Sequence, residues 1–149
     1  MGHVVVAVLD NPYKNPLFNV RERVALLREV FSQDSNIEVD AFSGLLVDYA
    51  RKKGIYTIIR GVRNPDDLTK ELPYAIWNRQ LSAGFTEPPE AASLETIYFT
   101  AEPTLAHVSG SIVKEVAAHL YRDGLDDQMI TKSVPKPVQE ALKGKFASR

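Results

Sequence analysis

The sequence contains no cysteine, which excludes disulfide frameworks, thiolate metal sites and cysteine nucleophiles. It also lacks a long hydrophobic run, since the longest near its start, residues 4–9, is far shorter than the roughly 20 residues that a membrane-spanning helix needs. No basic segment precedes that run, as a secretory signal would require. We therefore expect a cytoplasmic protein that has no membrane partner.

No charge of one sign dominates either, because 18 Lys and Arg stand against 19 Asp and Glu. Without a basic field over the whole molecule, we expect no nucleic-acid partner, and any bound anion must be held by local cations. The 149 residues, 44% hydrophobic, suffice for one core, so we expect a single domain over residues 1–149.

Short β-branched runs alternate with amphipathic helical patterns along the chain. Strands are predicted at residues 4–9, about 37–41, 55–59 and 94–100, and helices after the capping residues Asn19, Ser43, Asn64 and Ser109 and from about Pro135. Gly54 and Gly84 are predicted helix ends, residues 85–93 are predicted to form a loop, and Ile112 is expected to face inward from the helix after Ser109. The first run does not alternate, which is typical of a parallel strand buried on both faces. Tyr74 and Trp77 are expected in the core. The order predicts an α/β fold in three layers, with helices on both faces of a parallel sheet.

Three segments suited to anions follow the predicted strands, and ligands of open α/β sheets bind beyond the carboxyl ends of strands. They are Lys14 after the first strand, Arg60-Gly61-Val62-Arg63 after the third and Ser109-Gly110-Ser111 after the fourth. Guanidinium forks suit phosphate oxygens, and a helix start presents free N–H groups. Each segment also has an ordinary interpretation, as a solvated lysine, a surface turn or a simple N-cap. Together they predict a site for a polyphosphate or a phosphate ester.

Other chemistries find little support in the sequence. His3, His107 and His119 lack the spacing of a zinc site, so we expect no metal ligands in the chain. The chain has no P-loop, Gly-x-Ser-x-Gly or Gly-x-Gly-x-x-Gly pattern. These absences disfavour kinase, hydrolase and dehydrogenase activities.

Four segments resemble those of bacterial phosphopantetheine adenylyltransferases, a family of the nucleotidyltransferase superfamily. They are residues 14–18 with 22–24, residues 59–63, Asn78-Arg79 and residues 108–115. The resemblance spans about residues 4–146 and implies a Rossmann-like nucleotidyltransferase fold. It further implies transfer of AMP from ATP to 4′-phosphopantetheine with release of pyrophosphate, a Mg²⁺ cofactor without protein ligands and a homohexamer.

The resemblance also assigns roles to residues. Lys14 and Arg60 match the catalytic basic residues that hold the phosphate of phosphopantetheine, and Leu45 and Leu46 match positions along its pantetheine arm. The residues that match ATP contacts are Gly61, Val62, Arg63, Glu71, Leu105, Ala106, His107, Val108, Ser109, Gly110 and Ser111.

The sequence departs from the family pattern at its start, where the first strand and a Thr-x-Gly-His motif are absent. We therefore expect an N-terminally truncated member without the first βα unit, in which the strands at Val4 and Ile55 have unpaired inner edges. Two alternatives stay open: a non-catalytic module that binds coenzyme A or phosphopantetheine, and a related nucleotidyltransferase with another acceptor, such as nicotinate mononucleotide.

Overall fold

The computed structural model describes residues 2–83, 93–123 and 128–147, in which strands and helices alternate and the strands pair in parallel. The elements are β1 Val4–Asp10, α1 Val20–Val30, β2 Ile37–Ser43, α2 Leu46–Lys53, β3 Thr57–Val62, α3 Pro65–Ser82, β4 Glu95–Thr100, a 3₁₀ turn Pro103–Leu105, α4 Gly110–Asp123, α5 Gln128–Ser133 and α6 Lys136–Phe146. The predicted α/β class is confirmed. None of the described helices is both long and apolar enough to cross a bilayer.

The chain forms two compact units. The first unit combines residues 1–43 with residues 108–149, and the second unit is the continuous segment 44–107. In the described residues the first unit contains the sheet β1–β2, and the second unit contains the sheet β3–β4.

In the first unit, β1 pairs with β2 from Val4 opposite Ile37 to Asp10 opposite Ser43. Helix α1 begins at the predicted capping box: the Glu22 backbone N–H donates to Asn19 Oδ1 at 3.0 Å, and the Asn19 N–H donates to Glu22 Oε2 at 2.8 Å. This local chemistry fixes where α1 starts after the proline-containing loop.

The core of the first unit lies among its three C-terminal helices. Ala117, Ile130, Val134 and Leu142 are buried there. The apolar side chains that pack against them are Leu17, Phe18, Val113, Val116, Leu120, Tyr121, Val138 and Phe146. Helix α6 was predicted, whereas α5 was not. The prediction that Ile112 faces inward is wrong, because this side chain in the first turn of α4 is 48% exposed.

Strand β1 is less buried than its sequence predicts. Val8 is buried, but Val4 and Leu9 are 38% and 39% exposed, so the expectation of burial on both faces is wrong. The physical reason is that β1 pairs with β2 alone among the described strands and is therefore an edge strand.

In the second unit, β3 pairs with β4 from Thr57 opposite Glu95 to Val62 opposite Thr100. Its core consists of Val47 and Ala50 from α2 together with Leu94, against which Ile55 and Ile58 pack. Helix α2 ends as predicted at Gly54, whose φ of 66° lies in the left-handed region that glycine favours.

The two predicted boundaries on either side of α2 are wrong. Ser43 closes β2 rather than capping α2, and α2 follows Leu45 without a side-chain cap. The third strand is shifted from residues 55–59 to Thr57–Val62 because Ile55 donates its backbone N–H to Ala50 O at 2.9 Å and so belongs to the end of α2. As a result Arg60, Gly61 and Val62 lie within β3 rather than in a turn after it.

Helix α3 starts as predicted, with Asn64 Oδ1 accepting from the Asp67 N–H at 2.9 Å. Its exposed side is apolar: Tyr74 is 69% and Trp77 is 62% exposed, so their predicted core placement is wrong. The face that turns inward carries Glu71, whose carboxylate binds a β3 side chain, and the buried Ser82. The predicted helix end at Gly84 and nearly all of the predicted loop 85–93 lie outside the described residues.

Candidate functional site

A basic cavity of about 500 Å³ lies at the carboxyl end of β1 in the first unit. It is lined by Asp10, Asn11, Pro12, Lys14, Pro16, Asn19, Val20, Arg21 and Arg23. Asn11 shapes the loop, because its Oδ1 accepts from the Tyr13 N–H at 2.9 Å and its carbonyl accepts from the Lys14 N–H at 3.2 Å. The exposed Lys14 therefore lies on a turned loop at the place where an α/β sheet binds ligands.

Two further cations of this cavity, Arg21 and Arg23, were missed by the sequence reasoning. Arg23 Nη2 donates to the Leu9 carbonyl at 3.3 Å, while its buried Nε has no hydrogen-bond partner in the part of the chain that the structure describes. Cations in the first turns of a helix oppose its dipole, and this unfavourable placement was a signal in the sequence that could have drawn attention to both arginines. With Lys14 they give the cavity three positive groups against the single carboxylate of Asp10.

In the second unit, Arg60 of β3 and Glu71 of α3 form a double hydrogen bond. Arg60 Nε donates to Glu71 Oε2 at 2.8 Å, and Nη2 donates to Oε1 at 2.6 Å. The hydrogen bonds with Glu71 raise the pKa of Arg60, so the guanidinium is charged at every accessible pH. Arg60 Nη1 has no bonded partner among the described residues and stays available to an anion.

Arg63 follows β3 and pairs with Asp67 one helical turn later. Its Nε and Nη2 donate to the two carboxylate oxygens at 2.7 and 3.0 Å. These hydrogen bonds raise the pKa of Arg63 and lower the pKa of Asp67. The spacing of four residues was visible in the sequence and favours such a pair, whereas the eleven residues between Arg60 and Glu71 gave no such signal.

The remaining residues of the predicted site divide between the two units. In the second unit, Leu45 is 59% exposed before α2, Leu46 is its first helical residue, and Val62 is buried in β3. Gly61 has open space around its α-carbon, so a ligand could approach its backbone closely.

The segment from Leu105 to Ser111 crosses the boundary between the units. Leu105, Ala106 and His107 end the second unit, and Val108 begins the second part of the first. Ser109 Oγ accepts from the Ile112 N–H at 3.2 Å and so caps α4, while Gly110 and Ser111 are exposed in its first turn. Ser109 thus uses its hydroxyl as a cap, and Ser111 presents its own to solvent.

Comparison with known proteins agrees with these features. A family model described as cytidylyltransferase-like matches residues 1–116. The phosphopantetheine adenylyltransferase of Alkaliphilus metalliredigens is 46% identical over 114 residues, which cover 76% of this chain and 67% of the relative. That of Shouchella clausii is 40% identical over 140 residues, covering 94% and 78%, and that of Caldanaerobacter subterraneus subsp. tengcongensis is 38% identical over 143 residues, covering 96% and 79%. The chain belongs to the phosphopantetheine adenylyltransferase family.

Membership of the adenylyltransferase family confirms the resemblance seen in the sequence and the Rossmann-like nucleotidyltransferase fold. The match to the Shouchella clausii adenylyltransferase leaves out only a few residues of this chain, so it includes both the Lys14 loop and β3. Within this family's fold, the structure groups Lys14 with Arg21 and Arg23, and it joins Arg60 to Glu71.

Among the described residues, no group of three or more His, Asp or Glu side chains is placed so that it could hold a metal ion. His3 instead lies beside Glu38, with 3.1 Å between Nε2 and Oε2.

Proposed function

We propose that this chain is a pantetheine-phosphate adenylyltransferase of coenzyme A biosynthesis, which converts ATP and 4′-phosphopantetheine into dephospho-coenzyme A and pyrophosphate. The observation that supports it most is 40% identity to a phosphopantetheine adenylyltransferase over 94% of the chain. That stretch carries the basic groups at the ends of two parallel strands, where the substrate phosphates would bind.

In the proposed reaction, a phosphate oxygen of phosphopantetheine attacks the α-phosphorus of ATP in line. The new oxygen–phosphorus bond forms as the bond between the α-phosphorus and the bridging oxygen breaks, and pyrophosphate leaves with that electron pair. Such a transfer requires positioning and charge neutralisation rather than a protein nucleophile. Lys14 and Arg60 supply the positive charge as the proposed catalytic residues, and Leu45 and Leu46 line the pantetheine arm.

The ATP side of the proposed site uses backbone groups as much as side chains. The exposed start of α4 at Gly110 and Ser111 offers N–H groups and the positive end of the helix dipole to phosphate oxygens. The other proposed contacts with ATP are Gly61, Val62, Arg63, Glu71, Leu105, Ala106, His107, Val108 and Ser109.

A Mg²⁺ ion is part of the proposal, and its ligands would come from the triphosphate and water. The described residues contain no carboxylate cluster that could enclose the ion, and Mg²⁺ commonly binds through substrate phosphates while keeping several waters. A homohexamer and a cytoplasmic location likewise belong to the proposal, and light scattering during gel filtration would measure the assembly.

The test is pyrophosphate release from ATP and Mg²⁺ with 4′-phosphopantetheine as acceptor. We expect activity far below that of a family member with a Thr-x-Gly-His motif, and a further loss in Lys14→Ala but not in Lys52→Ala, which removes an exposed lysine of α2. A rate equal to that of such a member would contradict our interpretation of the missing motif. Preference for nicotinate mononucleotide would contradict the assigned acceptor.

A second candidate, a non-catalytic module that binds phosphopantetheine or coenzyme A, is favoured by the absence of a Thr-x-Gly-His motif from the sequence. Titration calorimetry separates the two functions, because saturable binding without turnover identifies the module. If the chain shows neither binding nor turnover, both candidate functions are contradicted.

A further inference from the structure

The Arg60–Glu71 pair connects two elements of the second unit at the place where β3 carries its proposed phosphate ligand. Each carboxylate oxygen accepts one N–H, at 2.8 and 2.6 Å, so the carboxylate and the guanidinium form a bidentate pair. Two parallel hydrogen bonds fix the rotation of the guanidinium as well as its distance, which a single bond would not do.

We propose that Glu71 is a positioning residue for Arg60, holding the guanidinium so that its Nη1 edge faces the phosphate of 4′-phosphopantetheine; this rests on the proposed function. Glu71 engages the Nε–Nη2 edge and leaves Nη1 without a bonded partner among the described residues. The Glu71 carboxylate thus fixes the orientation of Arg60, and the Nη1 donors remain for the phosphate of 4′-phosphopantetheine.

The exposure of the two side chains supports this division of roles. The Arg60 side chain is 50% exposed, whereas that of Glu71 is 25% exposed. A ligand therefore reaches the guanidinium more easily than the carboxylate, which already accepts a hydrogen bond on both oxygens.

Two other roles for Glu71 make different predictions. A carboxylate whose sole role is the proposed contact with ATP affects ATP binding whether or not Arg60 is present and leaves phosphopantetheine binding unchanged. A carboxylate that competes with phosphate for Arg60 weakens phosphopantetheine binding, so its removal would strengthen that binding. A positioning residue strengthens phosphopantetheine binding and does so only through Arg60, whatever contact its carboxylate also makes with ATP.

Tyr98 provides a matched control. It lies opposite Arg60 in the β3–β4 register, so the two side chains are on the same face of the sheet. Its buried hydroxyl has no hydrogen-bond partner in the described part of the molecule. Tyr98→Phe therefore removes a polar group beside Arg60 without removing a bond that holds it.

The experiment is calorimetric titration of the full chain with 4′-phosphopantetheine and, separately, with ATP. We expect Glu71→Gln to weaken phosphopantetheine binding about tenfold, as expected for loss of a charge-assisted hydrogen bond. Any loss of ATP affinity, which would come from the proposed contact of Glu71 with ATP, should be the same with and without Arg60. In an Arg60→Ala background, Glu71→Gln should not weaken phosphopantetheine binding further, and Tyr98→Phe should bind as the parent chain does.

An equal loss in the Arg60→Ala background, a loss of ATP affinity alone, or tighter phosphopantetheine binding would overturn the positioning role. Glu71→Asp keeps the charge on a side chain one methylene shorter and should bind with intermediate affinity. If both Glu71 variants unfold in thermal melts, the pair is structural and the proposal is wrong. If the parent chain binds no phosphopantetheine, the proposed function fails before the variants are compared.

Discussion

The two units of this molecule are stabilised in different ways. Among the described residues, the core of the first unit joins four buried apolar residues with eight partly buried ones, whereas that of the second joins three with two. The second unit adds polar links to its smaller core: Ser82 bonds to Leu94, and Arg60 and Arg63 each pair with a carboxylate of α3. Polar side-chain bonds therefore contribute to the stability of the part of the chain that carries most of the proposed nucleotide contacts.

The units also differ in the apolar surface that they expose. Among the described residues, the large hydrophobic side chains exposed in the second unit are Leu45, Ile59, Leu72, Tyr74, Ile76, Trp77, Leu81, Ile97, Phe99 and Leu105, against Val4, Leu9, Tyr13 and Ile112 in the first. Full burial of such a side chain contributes about 1.5–3 kcal/mol, of which each of these side chains forgoes the share that corresponds to its exposed area. The second unit therefore depends more strongly on each residue that it does bury.

The strongest test of this difference is truncation of one buried leucine in each unit. Leu94→Ala and Leu142→Ala should each lower the free energy of unfolding by about 2–5 kcal/mol. In hydrogen exchange, Leu94→Ala should expose the amides of β3 and β4, and Leu142→Ala those of α4 and α6. Loss of protection over the whole chain in both variants would show that the units unfold as one.

A smaller effect is expected at Ser82, which is fully buried in α3. Its hydroxyl accepts from the Leu94 N–H at 2.7 Å and donates to the Arg79 carbonyl at 3.0 Å. Ser82→Ala leaves the buried Leu94 N–H unpaired and should cost about 1–3 kcal/mol in urea unfolding. Thr69→Ala is the control, because this exposed hydroxyl makes a similar bond to Pro65 O and its loss should cost less than about 0.5 kcal/mol. Equal costs would contradict a special role for Ser82.

The helix caps allow a comparison at matched chemistry, since Asn19 and Asn64 cap one helix in each unit. Asn19→Ala and Asn64→Ala should each cost about 1 kcal/mol by urea unfolding. Because the second unit has the smaller core, Asn64→Ala should cause the larger local loss of hydrogen-exchange protection. A larger local loss of protection in Asn19→Ala would contradict the expected effect of the smaller core.

A pH titration should reveal the ion pairs of both units. Arg63 lowers the pKa of Asp67, and Lys145, at 2.7 Å, lowers the pKa of Glu22. A lowered carboxyl pKa contributes stability above the ordinary pKa of about 4, and that contribution disappears as pH falls through the lower folded value. Asp67→Asn and Glu22→Gln should each flatten the acid side of the stability profile, and an unchanged slope would show that the pair contributes nothing.

The smallest expected change in stability comes from Trp77, the single tryptophan of the chain. Since its side chain is 62% exposed, its fluorescence should peak near that of a solvated indole and iodide should quench it readily. Trp77→Gln should alter the free energy of unfolding by less than about 0.5 kcal/mol. Blue-shifted, unquenched emission would show that this apolar side of α3 is covered in solution.

Local chemistry explains which parts of the fold could be predicted. Asn19, Gly54 and Asn64 mark helix ends through bonds or backbone angles within a few residues, and the sequence showed them. The third strand was placed too early because Ile55 is β-branched, yet its backbone bonds to α2. The periodicity of α3 could not show that its apolar side is exposed. The side that faces the rest of the unit is chosen by the hydrogen bonds of Glu71 and Ser82, which form only in the folded chain.

The same limit applies to the candidate site. Lys14 and Arg60 were recognised because strand ends are where α/β sheets place ligands. Their partners were not: Glu71 reaches Arg60 only after β3 and α3 pack, and Arg23 enters the cavity only because α1 turns back toward the end of β1. Contacts between elements require tertiary structure, which one sequence does not specify residue by residue.

The division of the first unit into two segments has a consequence for the order of folding. Lys145 of α6 bonds to Glu22 of α1 across 123 positions of sequence, so this unit cannot close until the last helix has been synthesised. The second unit is continuous, and its strands can pair while the rest of the chain is still on the ribosome. We expect a nascent chain stopped before α6 to pair β3 with β4 while Leu17 and Phe18 still lack part of the core against which they pack.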